Sequence, residues 1–157
     1  MLFDFPERPE IDLVSQKIAQ HWRTQGLHGG SIPIWEIRLL ETEFGKLPPV
    51  YKRFLKQAGS QIDEDENGHW LWPPGEILQN SRRYLDDMSS SHLAEECIII
   101  GGYLYYCWFY ALWTTGPNAG QVFCVDGVNT IGPFTGLKLG SFLDAILKDA
   151  SVLYEMC

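Results

Sequence analysis

At 157 residues, 45% of them apolar, the chain is long enough and greasy enough for one folded unit with its own core, which excludes intrinsic disorder as the expected state. Its formal charge is −8, and beyond Lys52, Arg53, Lys56 and the pair Arg82–Arg83 no basic stripe occurs, so nucleic acid is not the expected partner. Residues 84–157 carry eight acidic side chains against Lys138 and Lys148 alone, a bias that suits a basic protein partner, although acidity of this kind also serves solubility.

In chain order, Ile11, Val14, Ile18 and Trp22 mark one face of a first helix running from near Pro9 to before Gly26. A turn at Gly29-Gly30-Ser31 follows, and Ile37, Leu40 and Phe44 give a second helical stripe over about 33–45. Leu47-Pro48-Pro49 then leads into a third helix, with Tyr51, Phe54, Leu55 and Ala58 on one face and Gly59 where the helix stops. The second and third helices are expected to form a short hairpin.

Next come an acidic loop over 63–68 and a Trp-rich segment, His69 to Ile77, that returns the chain to the body; residues 86–91 read as a second surface loop. From Cys97 the composition shifts to Ile, Tyr, Trp, Phe and Val, which predicts strands near 97–101, 104–114, 121–126 and 129–133, with a hairpin loop at 115–120. Ser141, with Asp144 three residues on, resembles a capping box opening a final helix to about residue 150. The expected fold class is α+β: an antiparallel β-sheet of about four to six strands packed against helices, in a single domain spanning 1–157 with no internal repeat.

No apolar run approaches a membrane span, since 97–115 is broken by Gly101, Gly102 and several tyrosines, and the N-terminus has no basic region followed by an apolar one. A cytoplasmic location is expected. Cys97, Cys107, Cys124 and Cys157 lack CxxC spacing and lie in apolar surroundings or at the chain end, which predicts buried reduced thiols rather than a disulfide framework. Along 105–113, Cys107, Phe109, Ala111 and Trp113 alternate with Tyr106, Trp108, Tyr110 and Leu112, so neither face of that strand is polar. The second face must be covered by the first helix, by a long loop, or by another copy of the chain in a homodimer.

Several short motifs stand in one order: Ile37-Leu40-Glu41 ending in Phe44-Gly45, then Leu47-Pro48, Tyr51, Phe54-Leu55, and Trp70-Trp72 leading into Glu76-Ile77. Together they resemble the SUKH superfamily, the group that contains yeast cell-wall-assembly regulators and many bacterial immunity proteins. Ile98 to Gly101, the glycine-led run Gly120 to Asp126, and Ser141-Phe142 continue it, so that it covers about 34–147 and leaves 1–28 as an N-terminal helical extension. The usual Asn-Gly-Gly after the third helix is here Ala58-Gly59-Ser60. The resemblance implies a non-catalytic protein-binding domain, an immunity protein that occludes the active face of a cognate toxin, often a nuclease; the alternative is a regulatory interaction module without a toxin. Nuclease surfaces are basic because their substrates are polyanions, and clustered carboxylates would steer such a partner.

The candidate contact residues are Asp63, Glu64, Asp65 and Glu66, which concentrate negative charge, and the neighbouring His69, Trp70 and Trp72, which supply apolar area. The competing readings are a solvated loop for the carboxylates and core packing for the tryptophans. Asp63, Asp65, Asn67 and Gly68 match the first half of a calcium loop, but the twelfth position is Pro74 instead of a bidentate Glu, so no metal site is expected. His21, His28, His69 and His92 show no metal-ligand spacing with the cysteines. No GxSxG, P-loop or GxGxxG pattern occurs, and Asp86-Asp87 and Glu95-Glu96 are merely adjacent, so neither an enzyme nor a cofactor is expected.

Overall fold

The computed structural model describes residues 7–86, 96–126 and 136–156. Among these the chain forms α1 (Glu7–Thr24), α2 (Ile34–Phe44), α3 (Pro49–Ala58), β1 (His69–Leu71), α4 (Pro74–Asp86), β2 (Cys97–Tyr103), β3 (Trp108–Trp113), β4 (Gln121–Asp126), β5 (Leu137–Lys138), α5 (Leu139–Lys148) and α6 (Val152–Glu155). The strands pair in sequence order, each antiparallel to the next, which is the expected α+β arrangement. The strand expected at 129–133 lies outside the described residues, as does most of the loop expected at 86–91.

The sheet is covered on both faces by helices. On one, α4 brings the Tyr84 ring to 4.6 Å from Phe109; on the other, α5 brings Phe142 to 4.9 Å from Tyr110. The first helix packs on α3 and α5 rather than on the sheet, with Arg53 of α3 forming a two-pronged ion pair to Asp12 of α1 at 2.6 and 2.7 Å. The coverage expected from the first helix, a loop or a second copy is therefore supplied by α4 and α5. Phe109 to Leu112 are buried in the central strand, so a homodimer through 105–113 would be confined to the exposed tip at 105–107 and the half-buried Trp108 and Trp113.

Helix α4 is absent from the sequence reading because its core stripe is interrupted. Ile77 and Leu85 are buried, but between them the inward position is Ser81, a polar residue that breaks the apolar period. Ser81 is there for a hydrogen bond: its Oγ accepts the Ile99 N–H of β2 at 2.8 Å, where the register between β2 and β3 shifts. The capping box also fails, because α5 begins at Leu139, directly out of β5, with Lys138 in the cap position and no side-chain capping bond from it to the helix. Pairing of β5 with β4 sets that helix start, and Ser141 falls inside its first turn.

Strand β3 begins four residues later than expected. Leu104, Tyr105 and Tyr106 have φ of +43°, +48° and +74°, left-handed values that end the ladder and make the β2–β3 connection a tight tip. Of the cysteines, Cys97 is buried and Cys107 exposed, whereas Cys124 is disulfide-bonded, so the expectation of reduced thiols fails there; motif spacing does not constrain pairing between distant cysteines. Burial pushes the Cys97 thiol up to about 12. At pH 8 it carries about three orders of magnitude less thiolate than an ordinary cysteine, so iodoacetamide on the native protein is expected to label Cys107 and spare Cys97, as peptide mass mapping would read.

Candidate functional site

The acidic segment between α3 and β1 is tied down on every side before it presents any charge. Its base is laddered to the chain after α1: Gly29 N–H donates to Ser60 O, Ser60 N–H to Gly30 O, and Ile62 N–H to Leu27 O, at 2.9 to 3.0 Å. That approach requires Gly59, since a Cβ there would stand 2.5 Å from Gly30 O, and φ is +79°. Gln61, buried, then staples the two ends of the loop: its amide nitrogen donates to Asp63 O and His69 O at 2.9 and 2.8 Å, and its amide oxygen accepts Leu71 N–H at 2.6 Å.

Within the loop the four carboxylates have separate fates. Asp65 is buried, and its Oδ1 accepts the N–H groups of Asn67 and His69 at 2.9 and 3.0 Å, an Asx-turn that shapes the loop from inside. The end of α1 and the residue after it brace the loop: His21 Nε2 lies 3.5 Å from Asp65 Oδ2, and Gln25 Oε1 accepts Glu66 N–H at 3.0 Å. Glu64 is half-buried and its Oε1 accepts the Tyr105 N–H of the β2–β3 tip at 2.6 Å, while Leu104 N–H donates to Gly68 O. Asp63 and Glu66 are exposed. The loop and the tip are thus one surface.

His69 is fully buried on β1. Asp149, the left-handed residue ending α5, can only accept, so His69 Nε2 donates to it at 3.1 Å and the Tyr110 hydroxyl donates to His69 Nδ1 at 2.9 Å. The Tyr154 hydroxyl of α6 also donates to Asp149. That bond, burial acting against it, and His69 together hold the Asp149 carboxyl below its ordinary range. Burial pushes the Tyr110 phenol above its usual value, which keeps the hydroxyl a donor. Trp72 is buried against Tyr84, Tyr106 and Phe109, and Trp70 is half-buried with its indole N–H donated to Gln61 O.

The structure therefore brings all seven predicted residues into one neighbourhood, with Asp63, Glu64, Glu66 and an edge of Trp70 outward and Asp65, His69 and Trp72 inward. His21, Gln25, Gln61, Tyr105, Asp149 and Tyr154 complete it. No local pattern signals these: Gln61 acts from within the segment through its buried amide, and the others reach the loop or His69 from distant parts of the chain. Among the described residues no group of His, Cys, Asp and Glu is arranged to hold a metal ion. A cavity of about 210 Å³ lies elsewhere, bordered by Glu10, Val50, Gln121 and Lys138.

The tip carries a conformational cost, roughly 1–2 kcal/mol for each left-handed non-glycine residue. It is offset by three backbone tethers: Tyr105 N–H to Glu64, Leu104 N–H to Gly68 O, and Cys107 N–H to Tyr103 O.

An antiparallel sheet enclosed by helices, with a braced run of carboxylates as its most organised polar surface, defines an α+β domain of the kind found among SUKH proteins, which are in general non-catalytic immunity-type or regulatory domains. Residues 32–144 match the SMI1 / KNR4 family (SUKH-1), and the chain belongs to that family. No curated protein and no solved structure gives a match. His21 and Gln25 precede the matched span and Asp149 and Tyr154 follow it, so the loop's braces come from the flanking helices.

Proposed function

We propose that the chain is an immunity protein that neutralises a cognate bacterial toxin, a nuclease for preference, by occluding its basic active face in the cytoplasm. The observation that carries this reading is the rigid acidic loop of a SUKH-1 domain. Its backbone is fixed by Asp65, Gln61 and Gln25, which leaves Asp63, Glu64 and Glu66 to meet a partner without much further ordering. Carboxylates at the rim raise the association rate, and the half-exposed Trp70 beside them adds apolar contact, with His69 and Trp72 holding the platform from beneath.

Co-expression with the toxin encoded beside this gene tests the reading. The parent chain is expected to restore growth, and the double variant Asp63→Ser, Glu66→Ser, with Asp65 kept to preserve the turn and Glu64 kept to hold the tip, is expected to weaken or lose rescue while remaining folded. Failure of the parent to rescue would favour a regulatory interaction module.

A further inference from the structure

The most exposed aromatic side chain among the described residues is not in the Trp-rich segment but at the β2–β3 tip: Tyr105 is 80% exposed, flanked by Leu104 at 44% and Tyr106 at 39%. Three successive left-handed residues leave Tyr105 outward while Tyr106 packs back on Trp72 and Phe109, and the backbone that does so is pinned to the acidic loop by the Glu64–Tyr105 and Gly68–Leu104 hydrogen bonds. A ring in water beside carboxylates of which Glu64 and Asp63 each give one oxygen to a backbone N–H and keep the other is the complement of one side chain in particular. Arginine is planar and weakly hydrated, so it stacks on an aromatic face while its N–H groups meet carboxylate oxygens; lysine, a strongly hydrated point charge, gains less from the ring.

We propose that the tip and the loop beneath it form an arginine-receiving surface for a basic protein segment, with the guanidinium on the Tyr105 ring and Glu64, Asp63 and Glu66 around its charge. This rests on the reading of the acidic loop as a contact surface, and it moves the apolar anchor from Trp70 and Trp72 to Tyr105. Glu64 serves twice, fixing the tip through one oxygen and supplying charge to the partner.

The test is a nuclear magnetic resonance titration of the full ¹⁵N-labelled chain with a short capped arginine–glycine peptide and its lysine counterpart. Shifts are expected to cluster in 63–68 and 103–107. Tyr105→Ala is expected to weaken the arginine peptide about fivefold, Tyr105→Phe to restore it, and the lysine peptide to bind about two- to threefold more weakly. Tyr105 being exposed, the parent spectrum elsewhere should persist in both variants. Shifts spread evenly over the acidic C-terminal half, or unchanged affinity in Tyr105→Ala, would overturn the proposal. Binding at the tip without growth rescue by the parent would keep this surface and remove the toxin; rescue with peptide binding elsewhere would remove this surface alone.

Discussion

His69→Ala is expected to lower the unfolding free energy by about 3–4 kcal/mol, read as a fall of roughly 6–16 °C in the thermal midpoint. The loss combines a cavity where a fully buried ring packs against Tyr103 and Tyr110 with a Tyr110 hydroxyl left without its acceptor. It also cuts one of the two bonds that tie Asp149 into the fold, and so loosens α5 and α6 from β1. Tyr110→Phe, which removes only the donor, should cost about 1–2 kcal/mol. A cost below about 1 kcal/mol for His69→Ala would mean that the histidine does not join these elements. The acid limb follows from the same cluster: because the folded Asp149 carboxyl is held below its ordinary range, its stabilisation is complete above that range and is lost as pH falls through the lowered value. Asp149→Asn, which suits the left-handed backbone there, should flatten that limb in acid-unfolding curves.

Gly101→Ala is the second large effect, about 3 kcal/mol or somewhat more, through the opposite cause of overcrowding. A Cβ at Gly101 would stand 2.3 Å from Trp70 O and 3.1 Å from Leu71 Cα, both backbone atoms of β1 that cannot turn aside. The short β1 must move off β2, which breaks the pairing of Trp70 and Leu71 with Gly102 and Gly101. Because β1 carries His69 and closes the acidic loop, the variant is expected to lose amide-exchange protection at residues 63–71 before the rest of the sheet. Full protection there, with an unchanged midpoint, would contradict the crowding. Gly102→Ala is the control, since its nearest contact, Trp108 O, is at an ordinary 3.4 Å.

The parts of this molecule that repeat a local rule were legible in its sequence. Ile11, Val14, Ile18 and Trp22 lie buried along α1 as their spacing predicts, and α3 ends at Gly59 with φ of +79°. Strands β2, β3 and β4 fall where β-branched and aromatic residues cluster. What could not be read depends on partners distant in the chain. Ser81 breaks the α4 stripe because it serves Ile99, and Leu104 to Tyr106 look like strand until their left-handed backbone is known. The acidic loop was legible as charge but not as architecture: nothing beside Asp65 tells that it is turned inward toward His21, forty-four residues earlier, while its neighbours are not.

The bond from Ile99 to Ser81 has one further consequence. Strand β1 pairs with β2 only over Gly101 to Tyr103, so without α4 the remaining edge of β2 would offer its unpaired N–H groups to any extended chain that met it. Ser81 fills one of those positions with a hydroxyl, and Ile100 O is met by Trp72 N–H at 2.7 Å. Ser81 therefore seals one backbone donor of β2 from within α4, and Ser81→Val would leave the Ile99 N–H buried without its acceptor, at a cost of about 1–3 kcal/mol.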